Sequence, residues 1–260
     1  MISSASLFHF TREFATLRKI VKDGFRPHYS REDLSMFRLP KCLGIPMVSF
    51  CDIPLSRAEK HSKVYGCYAL GLHKDWGKQK NISPVHYIYP GSICAEVIVK
   101  IYESLPHENI LHQCDCLKFN PQTAIFFYAK PYDGELLKTR KDGKLLKPEG
   151  KVTFYDEREW RYVPFADRTI VNPPIPPEVQ PILSEGDYAN PETYEQKTRI
   201  LQKYYTLEFH ASDIKFIIVS KEDEIPEMVK DIDDNLPCSE NDKKKLITRI
   251  ITMEQIRENF

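Results

Sequence analysis

The sequence predicts an α+β fold in a single mixed domain, on three observations. Short apolar runs of strand length are bounded by proline or glycine, as in Ile45 to Pro54. Other segments repeat apolar residues at helical spacing, as in Glu13 to Lys22. Strand signals recur on both sides of the proline-rich segment Asn172–Pro177, which favours one domain over residues 1–260 instead of two. A chain of 260 residues is long enough to bury a substantial core.

Taken in order, Leu7–Arg12 alternates aromatic with polar residues and predicts a strand. Phe14, Leu17, Ile20 and Val21 then predict a helix over Glu13–Lys22, stopped at Gly24. Ile45–Pro54 predicts a buried strand whose ends the prolines mark. A helix over Leu55–Val64 and a strand over Cys67–Leu72 follow, with Gly66 between them, and Val85–Tyr89 is a further short strand. Ser92–Glu103 reads equally as helix or strand, because Val97-Ile98-Val99 is β-branched. Lys138–Lys151 reads as an exposed loop leading into a strand over Val152–Val163. Asn172–Pro177 must cross the surface as extended chain. Beyond it, residues 178–260 predict a helix over Pro191–Tyr204, a buried strand over Ile214–Val219, and helices over Glu224–Ile232 and Asp242–Ile247.

Lys and Arg number 37 and so do Asp and Glu, which excludes a strongly basic nucleic-acid coat. Seven scattered cysteines make an odd count with no framework, and the start Met1–Ser6 lacks the pattern of an export signal. A cytoplasmic location with reduced thiols is therefore expected. No apolar run approaches the roughly 20 residues of a membrane span, so no membrane partner is expected.

Two polar motifs carry the functional reading. His9 and Thr11 share one strand face, where imidazole and hydroxyl can bind a ribose diol. Alternatively, Thr11 caps the following helix and His9 is a satisfied core residue. In Tyr155-Asp156-Glu157-Arg158-Glu159-Trp160-Arg161, read as a strand, Glu157, Glu159 and Arg161 share a face. Two adjacent carboxylates tend to raise one pKa and can divide acid and base roles, or they simply pair across the sheet.

Leu7-Phe8-His9-Phe10-Thr11-Arg12, followed by a helix and Gly24-Phe25, resembles the first motif of ADP-ribosyltransferases. Met47–Leu72 extends the resemblance as strand, helix and strand, and Glu157-x-Glu159 is similar to their third motif. The resemblance implies a central, strongly twisted, mostly antiparallel sheet with flanking helices, and NAD as substrate. It implies that His9 and Thr11 hold the ribose, that Phe50 and Tyr65 flank nicotinamide, and that Ser49 stands on the binding strand. Glu159 would be catalytic, stabilising positive charge as the glycosidic bond breaks, and Glu157 would act on the acceptor. Ser49 occupies the place of a stacking Tyr in poly-ADP-ribosyltransferases, so stacking falls to Phe50 or Tyr65.

A second resemblance is to the AbiGi-type abortive phage-infection family, whose members are described as antitoxins. It is carried by Phe8-His9-Phe10-Thr11, by Pro46–Ser56, by Tyr65-Gly66, by Lys74-Asp75-Trp76-Gly77 and by Glu157-Arg158-Glu159-Trp160-Arg161. These blocks cover most of residues 1–165, with an echo in Asp213–Val219. The pair of resemblances leads to the expectation of an ADP-ribosyltransferase of a phage-defence toxin-antitoxin system, with a non-catalytic antitoxin that binds a cognate toxin as the alternative.

Lys138, Arg140, Lys141 and Lys144 belong to a loop with six basic and two acidic residues just before the Glu motif. Transferases of that superfamily place the acceptor loop there, and its charge favours a nucleic-acid acceptor or is simply solvated. His107, His112, Cys114 and Cys116 match no zinc spacing, so no metal is expected. Glycine-rich phosphate loops and a nucleophile elbow are missing, which removes Rossmann, nucleotide-triphosphatase and serine-hydrolase readings.

Overall fold

The computed structural model describes residues 4–38, 43–104, 121–135, 150–165 and 175–259. Strand β1 (Ser6–Thr11) is followed by helix α1 (Phe14–Asp23), which buries Leu17, Ile20 and Val21. The helix stops at Gly24, whose φ of 77° lets its N–H return to the Ile20 carbonyl. Thr11 does not cap it: Thr11 ends β1, and Glu13 opens the helix with no side-chain cap.

β2 (His28–Glu32) pairs with the first half of β3 (Leu43–Cys51). Pro46 does not mark an end of β3 but lies inside it, opposite Tyr29. The Gly44 N–H turns away from β2 to the Leu183 carbonyl at 2.9 Å, and the backbone two residues on points the same way. Pro46 therefore lacks its N–H on the side where β3 has no sheet neighbour; β10 and β1 join only from Val48 to Cys51.

After a 3₁₀ turn at Leu55–Arg57 come α2 (Ala58–Tyr65) and β4 (Tyr68–His73), which pairs with β1 along its whole length. Helix α3 (Lys74–Gln79) leads to β5 (Ser83–Pro84) and β6 (His86–Ile88). The ambiguous segment is a helix, α4 (Ile93–Ser104): Ala95, Ile98 and Val99 fall at helical spacing and are its buried face, which outweighs the β-branched preference. Next are α5 (Pro121–Tyr128), β7 (Ala129–Pro131) parallel to β6, and the hairpin partners β8 (Asp133–Glu135) and β9 (Lys151–Thr153).

Val152–Val163 is not one strand. β9 ends at Thr153, a 3₁₀ turn covers Phe154–Glu157, and Arg158 is left-handed (φ 47°, ψ 48°) before β10 (Glu159–Tyr162) begins. Glu157 thus stands on a turn and only Glu159 on a strand. Short helix α6 (Glu185–Ala189) precedes α7 (Pro191–Tyr204), capped by Asn190, and β11 (Ile214–Val219) follows as read from the sequence. The chain continues with α8 (Ile225–Asn235), α9 (Glu240–Ile247), β12 (Ile250–Thr252) and α10 (Met253–Asn259).

The result is an α+β architecture around an eight-stranded sheet ordered β12-β11-β4-β1-β3-β10-β5, with β2 on β3. All its pairings are antiparallel except β11 with β12. Alternate residues of β1 pack on opposite faces: Leu7 joins Leu70, Ile217 and α1, and Phe8 joins Ala69, Ile218 and α10. A further core holds Tyr29, Ile45 and Met47 against α4, α5 and α7. No helix among the described residues is long and apolar enough to cross a membrane.

Gly66 links α2 to β4 with φ 114°, and a Cβ there would lie 2.2 Å from the Thr11 carbonyl oxygen. This close crossing brings the end of α2 down onto β1. Gly66→Ala should therefore cost about 2 kcal/mol or more, combining backbone strain with the clash. Urea unfolding of the two proteins measures it, and an unchanged midpoint would contradict the assignment.

Candidate functional site

The junction of β1, β3, β10, β7 and the end of α2 encloses a cleft of about 290 Å³, and its wall includes His9, Ser49, Phe50, Tyr65, Glu157 and Glu159. Six of the seven residues picked from the cofactor and catalytic motifs thus meet in one place, although they come from three separate stretches of chain. Thr11 lines an adjoining cavity of about 550 Å³, which shares His9, Phe10, His28 and Tyr65 with the cleft. Lys138, Arg140, Lys141 and Lys144 lie outside the described residues, as do His107, His112, Cys114 and Cys116.

Pairing explains how the strands meet. Arg161 stands opposite Ser49, and Glu159 opposite Cys51, in the β10–β3 ladder, while β1 joins the other side of β3 at Cys51. Glu159 and Arg161 are two apart on β10, so their side chains leave the same face. There the Arg161 Nε donates to Glu159 Oε1 at 2.7 Å and Nη2 donates to Oε2 at 3.1 Å. Ser49 Oγ donates to Oε1 at 2.9 Å, and Lys130 Nζ to Oε2 at 2.7 Å. Four donors converge on one carboxylate.

Arg161 is fully buried, and its remaining N–H groups reach the Phe127 carbonyl and Glu32 Oε1, each at 2.9 Å. Lys130 also donates to Glu157 Oε2 at 2.6 Å and lies 4.9 Å from the centre of the Phe154 ring. Tyr65 donates its hydroxyl to the other oxygen of Glu157. The left-handed Arg158 returns the chain so that both carboxylates, one from the turn and one from the strand, meet a single ammonium. The expectation of one continuous strand face is corrected, yet the two groups still converge.

Burial alone would raise the Glu159 pKa, but Arg161 and Lys130 outweigh it and hold the carboxyl well below the usual range. Burial likewise opposes the Lys130 ammonium, and Glu159, Glu157 and Glu32 overcome that and keep it charged. Burial prevails at Glu32, whose pKa rises despite Arg161. The Tyr65 phenol is pushed up by burial and then by Glu157, so it stays a donor. Counting charges, three carboxylates face two cations in this network.

His9 Nδ1 lies 2.8 Å from the Ser49 carbonyl oxygen, which can only accept. Nδ1 therefore carries the proton, and Nε2 of the neutral ring is left as an acceptor. Burial lowers the His9 pKa to about 4, partly offset by that hydrogen bond. Its ring sits edge-on to Phe25 and Phe50 at 5.2 and 5.8 Å. Phe50 is only 2% exposed and also packs on Trp76, so most of its ring belongs to the core. The aromatic wall of the cleft is instead Tyr65 stacked on His61 at 4.5 Å, with Phe10 at 4.9 Å from His61.

Sequence reasoning missed Lys130, Glu32, Tyr87 and His61. Tyr87 accepts the Glu159 backbone N–H at 2.7 Å. Lys130 follows the apolar run Ile125-Phe126-Phe127-Tyr128-Ala129, and a lone lysine entering such a run is the signal that could have marked it.

An α+β protein with a polar cleft floored by a buried charge network is what fold and site define. The family model described as "Putative abortive phage resistance protein AbiGi, antitoxin" matches residues 23–220. The chain belongs to this AbiGi family. It is also similar to the abortive phage resistance protein AbiGi of Lactococcus lactis subsp. cremoris, with 28% identity over 256 residues, covering 91% of this chain and 99% of that protein. No solved structure matches it.

Two outcomes follow from the network. Arg161→Leu leaves Glu159 and Glu32 without their main counter-charge, so unfolding free energy should fall by about 3–5 kcal/mol, read from urea melts. Stability should also fall in acid. The depressed carboxyl of Glu159 gives stability above the unfolded carboxylate pKa that is lost as pH falls through it. His9, and His61 with its pKa lowered to about 4 by burial and then by Lys130, lose theirs between pH 6.5 and about 4. A melting temperature that stays level from pH 7 to 4 would contradict this.

Proposed function

We propose that this protein is the antitoxin component of a phage-defence pair and restrains a cognate toxin by binding it, without ribosyl transfer of its own. The observation that carries this reading is the state of Glu159. A glutamate that stabilises a glycosyl cation must offer the substrate an oxygen and an uncompensated charge. Glu159 accepts four hydrogen bonds and touches both Arg161 and Lys130, so its lone pairs and its charge are already used. The family's antitoxin description supports the same role.

A second reading is favoured by a separate observation, the meeting of His9, Ser49, Tyr65, Glu157 and Glu159 in one cleft. Under it the chain is an ADP-ribosyltransferase that takes NAD as substrate. His9 and Thr11 hold the ribose, Tyr65 stacks on nicotinamide while Phe50, mostly core, only backs the wall, and Glu159 is catalytic once Lys130 releases it. Glu157 then acts on a macromolecular acceptor, with Lys138, Arg140, Lys141 and Lys144 attracting a nucleic acid.

Expression in a bacterial host separates the two. The antitoxin reading expects normal growth when the chain is produced alone, rescue of growth when it accompanies its toxin, and rescue by Glu159→Gln in proportion to the variant that remains folded by circular dichroism. Growth arrest by the chain alone, with nicotinamide released from NAD and abolished in Glu159→Gln, would overturn it in favour of the transferase.

A further inference from the structure

Arg12, Lys19 and Arg26 all line the larger cavity beside the cleft, where Glu13 is the only carboxylate among the described residues of the wall. They come from the end of β1, from the middle of α1 and from the segment between α1 and β2. Among the described residues none of the three forms an ion pair with a carboxylate, although the chain as a whole has 37 acidic residues for 37 basic ones. Two of them are held by backbone instead: Arg12 Nη2 donates to the Val64 carbonyl at 3.2 Å, and Arg26 Nη1 to the Gln202 carbonyl at 3.4 Å. A carbonyl takes part of a guanidinium's hydrogen-bonding capacity but leaves its charge unneutralised.

The adjoining cleft has the opposite sign. The cleft floor carries Glu32, Glu157 and Glu159 against Lys130 and Arg161, a surplus of one carboxylate. Between the two lie the shared residues His9, Phe10, His28 and Tyr65, which offer imidazole and phenol surfaces. A solute filling both compartments meets an acidic floor, an uncharged aromatic waist and a basic mouth. That sequence excludes an anion from the floor and attracts one at the mouth.

We propose that the cavity bounded by Arg12, Lys19 and Arg26 is a phosphate subsite, and that the cleft takes a small phosphorylated ligand with its uncharged ring or sugar on His9 and Tyr65. The dimensions favour a small molecule over a nucleic-acid strand, because the basic residues line an open pocket of only about 550 Å³ beside a cleft of about 290 Å³, the size of a small-ligand site. Thr16 and Gln202 stand in the same wall and supply neutral hydrogen-bonding groups beside the cations. This rests on the cleft being a ligand site and not on turnover, so it holds for a regulatory ligand of an antitoxin as well as for a substrate.

Calorimetry on the full chain with inorganic pyrophosphate, ADP and adenosine tests it, using the wild type and the Lys19→Ala/Arg26→Ala variant. Both side chains are exposed, so the variant should fold, which circular dichroism checks. Expected are binding of pyrophosphate and ADP that weakens with salt, and a loss of roughly ten- to a hundredfold in the variant. Equal binding by wild type and variant would overturn the subsite, as would equal affinity for ADP and adenosine, which leaves the cleft a ligand site. Binding of none of the three overturns both. Binding of a single-stranded oligonucleotide but neither phosphate probe assigns the basic mouth to a macromolecule and also overturns the proposal.

Discussion

Arg161 has no solvent exposure, and three elements far apart in the chain spend polar groups on it: Glu32 of β2, the Phe127 carbonyl of α5 and Glu159 beside it on β10. A buried guanidinium is expensive to desolvate, and only this degree of hydrogen bonding makes it tolerable. The requirement propagates. Glu159 is fixed by it, Lys130 is fixed by Glu159, Glu157 by Lys130, and Tyr65 by Glu157. The cleft wall is therefore one connected set of charges whose members cannot be moved singly. Ion pairing of this kind confers position more than net stability, since an apolar core of equal volume would cost less to desolvate.

That set also explains why the antitoxin and transferase readings coexist in one molecule. His9, Ser49, Tyr65, Glu157 and Glu159 line one cleft, but Glu159 is held there by two cations. Position and availability are separate properties of a side chain. Only the first was visible in the motif spacing.

Elements with strong local signals were legible from sequence: α1 with its glycine stop, the helix α7 and the buried strand β11 agree within a residue or so. Failures fell where tertiary context decides. Pro46 sits inside β3 because the side of the strand it disables has no neighbour, a fact of sheet topology. The turn before Glu159 depends on Arg158 adopting a left-handed conformation, for which arginine carries no signal. In the site, His9, Tyr65 and the two glutamates were readable from motifs. Lys130 offered only its place at the end of an apolar run, and Glu32 offered nothing, because pairings across about 30 and 130 residues do not show which partner each side chain meets.

The sheet order has a consequence for how the protein comes to exist in a cell. β1 lies near the middle of the sheet, and its neighbour β4 is covered on its other side by β11 at residues 214–219, which β12 at 250–252 then borders. Pairings of such long sequence separation form slowly and only after most of the chain has left the ribosome. Until then β4 presents an open edge with apolar faces. Until β11 pairs, newly synthesised protein exposes this edge to proteolysis or misassembly. The rate at which folded molecules appear therefore depends on how fast β11 finds β4 across about 150 residues of chain, as well as on synthesis.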